Sequence, residues 1–163
     1  MNMKIKFLAA SGIIAALYIA VTMLVAPFGF TEVQFRVSEI FNHLVAFNPR
    51  FAVGIIIGVF IANIFSPLGI YDLVFGVGHS MITLGLFILI CKFVKNIWAR
   101  LIINTFLFTC TMFIIAFELN LALELPFFWT WLTVAAGEFV VLAVGAPIMY
   151  ILNKRLHFKE MIE

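Results

Sequence analysis

Apolar runs long enough to cross a lipid bilayer dominate this sequence. Residues 7–25 form such a run, about 19 residues without one charged side chain, and a helix needs about 20 apolar residues to span the hydrocarbon core. Across the chain 65% of the residues are hydrophobic and 11% are charged, whereas a soluble domain is roughly half apolar and a quarter charged. We therefore expect an all-α membrane protein with a single transmembrane domain over residues 1–163.

Turn and helix-breaking residues divide the chain into six predicted spans. The second and third spans are short for a straight crossing, and irregular backbone beside them is tolerated only where protein or a water-filled cavity surrounds it. We therefore expect a ligand cavity in the outer half of the membrane. The predicted spans cover about residues 6–25, 37–47, 51–65, 71–93, 97–117 and 127–152.

Basic residues indicate the orientation of the spans, because cytoplasmic loops of membrane proteins are enriched in Lys and Arg. With a cytoplasmic N-terminus, nine of the ten basic residues lie inside and only Arg36 lies outside. Both termini are thus expected in the cytoplasm, and the protein in the cell membrane. The inner residues are Lys4, Lys6, Arg50, Lys92, Lys95, Arg100, Lys154, Arg155 and Lys159, and the outer segments hold Glu32, Asp72, Glu118 and Glu124.

Glu138 is the strongest candidate for ligand binding. It lies about twelve residues into the sixth span, and a carboxylate inside an apolar span is costly and normally faces a cavity or a partner. Trp131 precedes it by seven residues and is therefore expected on the same helical face. The alternatives are a structural pairing or a shallow position for Glu138 and an interfacial position for Trp131.

Polar residues before the second span and on the fourth span form two further candidate groups. Arg36 and Glu39 either contact ligand or pair with each other, since they are three residues apart. Asp72 either contacts ligand or caps the start of its helix. His79, seven residues after Asp72, either contacts ligand or has a packing or hydrogen-bonding role. The two groups also include Gln34, Asn63 and Phe75.

Small residues recur every four positions along the first span. They form one ridge at Gly12, Ala16 and Ala20 and another at Ser11 and Ala15. Such ridges allow two helices to approach each other closely. They are expected either to pack inside the bundle or to dock a partner protein.

Enzyme motifs are absent from the sequence. It contains no nucleophile elbow, no phosphate-binding Gly-rich loop, no zinc-protease HExxH and no dinucleotide fingerprint. We therefore expect no catalytic residue, no metal site and no bound cofactor. Energy for uphill transport would have to come from a partner or from an ion gradient.

Three motifs in the first half of the chain carry a family resemblance. Residues 33–39 read VQFRVSE, residues 61–69 read IANIFSPLG and residues 72–76 read DLVFG. In this combination, over roughly residues 33–76, they resemble the queuosine-precursor transporter family (QueT-type). Members of this family are substrate-binding S components of energy-coupling factor (ECF) importers. The ridge at Ala16 and Ala20 resembles the element by which S components dock the coupling subunit.

The resemblance implies an S-component-like bundle that captures 7-aminomethyl-7-deazaguanine from outside. A transmembrane coupling subunit and two partner ATPases, which use the ATP, would complete the importer. Glu138 would accept the two adjacent N–H donors of the guanine-like edge. Gln34, Asn63 or Arg36 would donate to the oxo group, Glu39 or Asp72 would bind the aminomethyl arm, and Trp131 or Phe75 would stack on the ring.

Three other functions remain open from the sequence. The first is an S component for another vitamin. The second is an ion-coupled secondary transporter that uses Glu138 as a proton relay. The third is a membrane assembly subunit that transports nothing, which the small-residue ridges alone would permit.

Overall fold

The computed structural model describes residues 3–26 and 35–162, and within these ranges the regular structure is entirely helical. The second helix, α2, covers residues 37–47 as a 3₁₀ helix, Val37–His43, that continues into an α-helical turn, Leu44–Phe47. The other helices are α1 (Met3–Leu24), α3 (Phe51–Ile64), α4 (Asp72–Cys91), α5 (Ile97–Leu123), α6 (Phe127–Leu156) and α7 (Phe158–Ile162).

Four of the described helices are long and apolar enough to cross a membrane, namely α1, α4, α5 and α6. The shortest of them, α4, has 20 residues, which at 1.5 Å per residue gives a length of about 30 Å, close to the thickness of the hydrocarbon core. Helix α3 has 14 residues and reaches only about 21 Å. The chain is therefore a multi-pass membrane protein, as its composition predicts.

Helix α2 is enclosed by the rest of the bundle. Ser38, Glu39 and the whole stretch from Asn42 to Ala46 are buried. His43 lies in this stretch, and its two ring nitrogens are 2.9 Å from the Leu142 carbonyl oxygen and 3.1 Å from Asn104 Nδ2. Because protein surrounds α2 on nearly all sides, its polar groups find partners that lipid would not supply.

Small residues allow α1 to pack closely against α3. A Cβ atom added at Gly54 would lie 2.7 Å from the Ser11 carbonyl oxygen, and one added at Gly58 would lie 2.8 Å from the Tyr18 Cβ atom. The ridge that contains Ser11 and Ala15 is buried and therefore packs internally. The other ridge is exposed on the outer side of α1 and consists of Gly12, Ala16 and Ala20.

Basic side chains tie several chain segments together at one end of the bundle. Arg100, at the start of α5, donates to the carbonyl oxygens of Cys91 and Ala46, both at 3.0 Å. Arg50, at the start of α3, donates to the carbonyl oxygen of Ile162 at 3.4 Å. The turn between α2 and α3, the turn between α4 and α5 and the C-terminal helix α7 therefore meet at the same end.

Helix α5 extends further than the sequence analysis predicted. It continues past Met112 and ends at Leu123, rather than at about residue 117. As a result Glu118, expected in an outer segment, lies inside the helix with 0% of its surface exposed. Asp72, expected in the same outer layer, is also completely buried, at the start of α4. Both carboxylates therefore face the bundle interior rather than the surface.

Replacing Gly54 by alanine is expected to lower the midpoint of thermal unfolding in detergent. The added Cβ atom would meet the Ser11 backbone, and overpacking of this kind costs roughly 1–3 kcal/mol. The matched control is Gly85→Ala in α4, where an added Cβ atom meets nothing within 4 Å. Equal midpoints for the two variants would contradict a role for close α1–α3 packing in stability.

Candidate functional site

A buried ion pair joins the residue before α2 to the start of α4. Arg36 Nη2 donates to Asp72 Oδ1 at 2.9 Å, and Arg36 Nη1 donates to Asn63 Oδ1 at 2.9 Å. The Asn63 side-chain amide in turn donates to the Asp72 backbone carbonyl at 2.9 Å, and the Ser66 hydroxyl donates to Asp72 Oδ2. The Asp72 carboxylate therefore binds Arg36 and Ser66 rather than capping its own helix.

The backbone of α4 is widened where it carries Asp72. Residues Asp72–Gly76 form a π-helical turn, a feature that occurs frequently at functional sites. A Cβ atom added at Gly76 would lie 2.5 Å from Asn63 Nδ2, so a glycine is needed for Asn63 to reach Asp72. Gly69, with φ of 57°, adopts the left-handed conformation that favours glycine in the turn between α3 and α4.

Glu39 is held from two sides. In a 3₁₀ helix, residues three apart lie directly above one another, and Asn42 donates its side-chain amide to Glu39 Oε2. The Tyr18 hydroxyl of α1 donates to Glu39 Oε1 at 2.5 Å. Both carboxylate oxygens therefore have a fixed donor, and each retains a further lone pair with which to accept.

A small polar cavity lies among these groups. Its volume is about 20 Å³, enough for roughly one water molecule, whereas pockets that bind organic ligands measure about 300–1,000 Å³. Arg36 and Glu39 reach it from the start of α2, and Glu138 reaches it from α6. A ligand larger than water would therefore have to separate the walls. The remaining lining residues are Gly76, His79, Ser80, Met112 and Ile115.

Glu138 faces this cavity from the middle of the bundle. Only 2% of its surface is exposed, and its Oε1 atom has no hydrogen-bond partner among the described residues. Helix α6 is apolar around Glu138, so helix packing does not require a carboxyl group at this position. A ligand with N–H groups would supply the hydrogen-bond donor that this buried acceptor lacks.

His79 both lines the cavity and packs within the bundle. Its Nε2 atom lies 2.9 Å from Thr111 Oγ1, and its ring meets Phe108 edge-on at a centroid distance of 5.5 Å. Among residues 3–26 and 35–162, no three His, Cys, Asp or Glu side chains come together as metal ligands would.

The two aromatic residues predicted to stack on a ligand lie away from the cavity. Phe75 lines an apolar groove between α4 and α5, and its ring packs against Phe117 at 6.0 Å. Trp131 packs against Phe113 at 6.3 Å and against Phe127 at 6.1 Å. Their stacking role stays a prediction, since neither ring lines the cavity.

The predicted binding residues thus fall into three layers. The cavity wall holds Glu138, Glu39, Arg36 and His79. Behind it, Asn63 and Asp72 support Arg36 through hydrogen bonds. Phe75 and Trp131 form the apolar surroundings, and Gln34 lies outside the described residues.

Glu118 is a candidate that the sequence analysis missed. Its carboxyl group is fully buried and lies beside Asp72 and near Arg36, yet neither of its oxygens accepts a hydrogen bond from a donor group in the described part of the chain. The signal in the sequence that could have identified it is the mainly apolar stretch LNLAL at residues 119–123. It allows the helix to continue past Glu118 and so to carry the carboxyl group inward.

Arg36→Met is expected to destabilise the protein by about 3–5 kcal/mol, because removing one partner of a buried ion pair leaves the other charge uncompensated. The double variant Arg36→Met/Asp72→Asn removes both charges and is expected to recover part of that loss. Thermal unfolding of both variants and of Asp72→Asn in detergent gives the coupling energy. If the double variant lost as much stability as the two single variants lose together, the two residues would not be energetically coupled.

Comparison with known proteins agrees with the motif resemblance. The chain matches the family model described as QueT transporter over residues 8–154. It is 35% identical over 153 residues to the Queuosine precursor transporter QueT of Lactococcus lactis subsp. cremoris (strain MG1363), an alignment that covers 88% of this chain and 90% of that protein. No solved structure matches the chain significantly. The resemblance is thereby confirmed, and this multi-pass protein of the cell membrane belongs to the QueT transporter family.

Proposed function

We propose that this chain is the substrate-binding S component of an ECF importer and captures 7-aminomethyl-7-deazaguanine, a queuosine precursor, from outside the cell. The Lactococcus relative is named a queuosine precursor transporter, which indicates the class of cargo. The observation that carries the proposal is the buried Glu138 carboxyl group, whose Oε1 atom has no hydrogen-bond partner among the described residues and which lines a polar cavity with Arg36 and Glu39.

The chemistry of the cavity wall fits a deazaguanine. The guanine-like edge presents two adjacent N–H donors, which one carboxylate can accept together, and Glu138 supplies that carboxylate. The ring oxo group needs a donor, and the Arg36 guanidinium lines the same cavity. Glu39, held in place by Tyr18 and Asn42, is a second acceptor. An analogue without the guanine-like donors would leave these buried groups unpaired and would be rejected.

The proposed orientation places both termini in the cytoplasm and the cavity in the outer half of the membrane. Arg50 and Arg100 lie at the end of the bundle shared by α7, which the positive-inside rule assigns to the cytoplasm. Asp72 lies at the opposite end of α4 from Cys91, whose carbonyl oxygen accepts a hydrogen bond from Arg100. The short helices α2 and α3 complete six crossings in this proposal, with α2 sheltered from lipid.

The exposed ridge at Gly12, Ala16 and Ala20 is proposed to dock the transmembrane coupling subunit. Small side chains on an exposed helix face let a second helix approach closely in lipid, and the buried ridge of the same helix already packs in this manner against Gly54 and Gly58. Two ATPases bound to the coupling subunit would then supply the energy, since this chain contains no ATPase motif.

Glu138→Gln is expected to abolish calorimetrically detectable binding of 7-aminomethyl-7-deazaguanine without changing the unfolding midpoint in detergent. The amide offers one acceptor oxygen in place of two and sets a donor against the ligand's own donors, and each hydrogen bond to a charged group is worth about 1.5–3 kcal/mol. The control variant is Glu160→Gln, at an exposed position in α7.

Thiamine, which lacks the guanine-like edge, is the negative control ligand in the same titration. Guanine, which has that edge but no aminomethyl arm, measures the contribution of the arm. Unchanged affinity in Glu138→Gln would contradict the role of this carboxylate. Failure of the folded wild-type chain to bind any deazapurine would overturn the proposed cargo. Uptake in cells that follows the proton gradient, and not the ATP-binding partners, would favour the ion-coupled alternative.

Ala16→Leu is expected to leave cargo binding unchanged and to block uptake, because the larger side chain would hold the coupling subunit away from α1. Calorimetry on the purified chain and uptake of labelled cargo by cells measure the two effects. The matched control is Ala143→Leu, which enlarges an exposed alanine on α6. Normal uptake and normal complex assembly with Ala16→Leu would refute docking through this ridge.

A further inference from the structure

The buried side chains carry more acidic than basic groups. In the part of the chain that the structure describes, four carboxyl groups are buried, against a single guanidinium, that of Arg36. A charge in a low-dielectric interior is stable only with a counter-charge or a proton. The carboxyl groups are those of Glu39, Asp72, Glu118 and Glu138.

Glu118 is the least satisfied of these groups. Asp72 binds Arg36 and Ser66, and Glu39 binds Tyr18 and Asn42. Neither oxygen of Glu118, in contrast, accepts a hydrogen bond from a donor group among the described residues, although 0% of the residue is exposed, and the polar group beside it is the Asp72 carboxylate. The two adjacent carboxyl groups, Glu118 and Asp72, have one guanidinium near them, that of Arg36, so a further donor with positive charge would stabilise the pair.

The position of Glu118 places it next to the cavity. Ile115 lines the cavity from α5, and Glu118 follows it by three residues, on the same helix face and about 4.5 Å further along the axis. From α4, Gly76 lines the cavity, and Asp72 lies one turn away. The Phe75–Phe117 ring contact, at 6.0 Å, holds these parts of α4 and α5 together. Asp72 and Glu118 thus form the layer adjoining the cavity.

We propose that Glu118, with Asp72 beside it, is the specificity site for a primary ammonium group on the cargo. This inference rests on the proposed function, in which the guanine-like edge of the cargo meets Glu138. The aminomethyl arm leaves the ring system on a different side from that edge and would extend toward the layer that contains Glu118. The ammonium group has three donors, enough to satisfy both open oxygens.

The test compares two ligands that differ in charge at the end of the arm, 7-aminomethyl-7-deazaguanine and its neutral nitrile counterpart, 7-cyano-7-deazaguanine. Calorimetric titration of Glu118→Gln is expected to show about 10- to 100-fold weaker binding of the amine and unchanged binding of the nitrile. Glu118→Asp, which keeps the charge, is expected to retain the preference for the amine. Glu124→Gln is the matched control, an exposed carboxyl group immediately after α5.

The ratio of the two affinities is independent of the fraction of protein that is folded, so partial misfolding of a variant does not obscure the result. Equal weakening of both ligands in Glu118→Gln would assign Glu118 a structural role and overturn the inference. Unchanged binding of both ligands by Glu118→Gln would show that Glu118 does not contribute to cargo binding, and would overturn the inference as well. Binding of neither ligand by the wild-type chain would instead contradict the proposed function itself.

Discussion

The contact between Arg36 and Asp72 controls how the polar interior of this bundle is built. An arginine within an apolar bundle is costly unless its charge is matched and its donors are bonded. Asp72 supplies the charge, and Asn63 accepts from the same guanidinium. Because these residues belong to the start of α4 and to α3, the pair fixes both helices relative to the start of α2. Arg36 lines the cavity, so the pair also positions that part of the cavity wall.

Helix α2 explains how a strongly apolar chain can keep so many polar groups inside the membrane. A short segment surrounded by α1, α5 and α6 does not face lipid, so its side chains can be polar without exposure to hydrocarbon. Its 3₁₀ geometry places Asn42 directly over Glu39, and His43 bonds to the backbone of α6. Helix α2 is short for a membrane span, but its length suits a polar segment inside the bundle.

The sequence predicted an all-helical membrane protein because a chain in lipid has few ways to satisfy its backbone, and apolar runs therefore become helices. It also indicated four cavity-wall residues, since charged and polar residues within or next to such runs normally face the interior. They are Arg36, Glu39, His79 and Glu138. The partner of Arg36 was not predictable in this way. Asp72 is 36 residues away, and only tertiary packing brings the two together.

Side-chain direction was harder to predict than helix position. Seven-residue spacing places Trp131 and Glu138 on one face of α6, but it does not tell which neighbour each one meets. Two turns along the helix the surroundings change from the polar cavity to the rings of Phe113 and Phe127. Glu118 was misplaced for a related reason: a carboxylate near the end of a span resembles a loop residue until the packing of the helix end is known.

Tyr18 connects the two surfaces on which the proposed function depends. Its hydroxyl group donates to Glu39 in the cavity wall, and its Cβ atom lies against Gly58 of α3. Ala16 and Ala20, two residues to either side, face outward, because residues two apart on a helix point to nearly opposite sides. Close-packed interiors transmit displacement rather than absorb it. A ligand that moved Glu39 would therefore act on α1 directly, and α1 is the helix that would meet the coupling subunit.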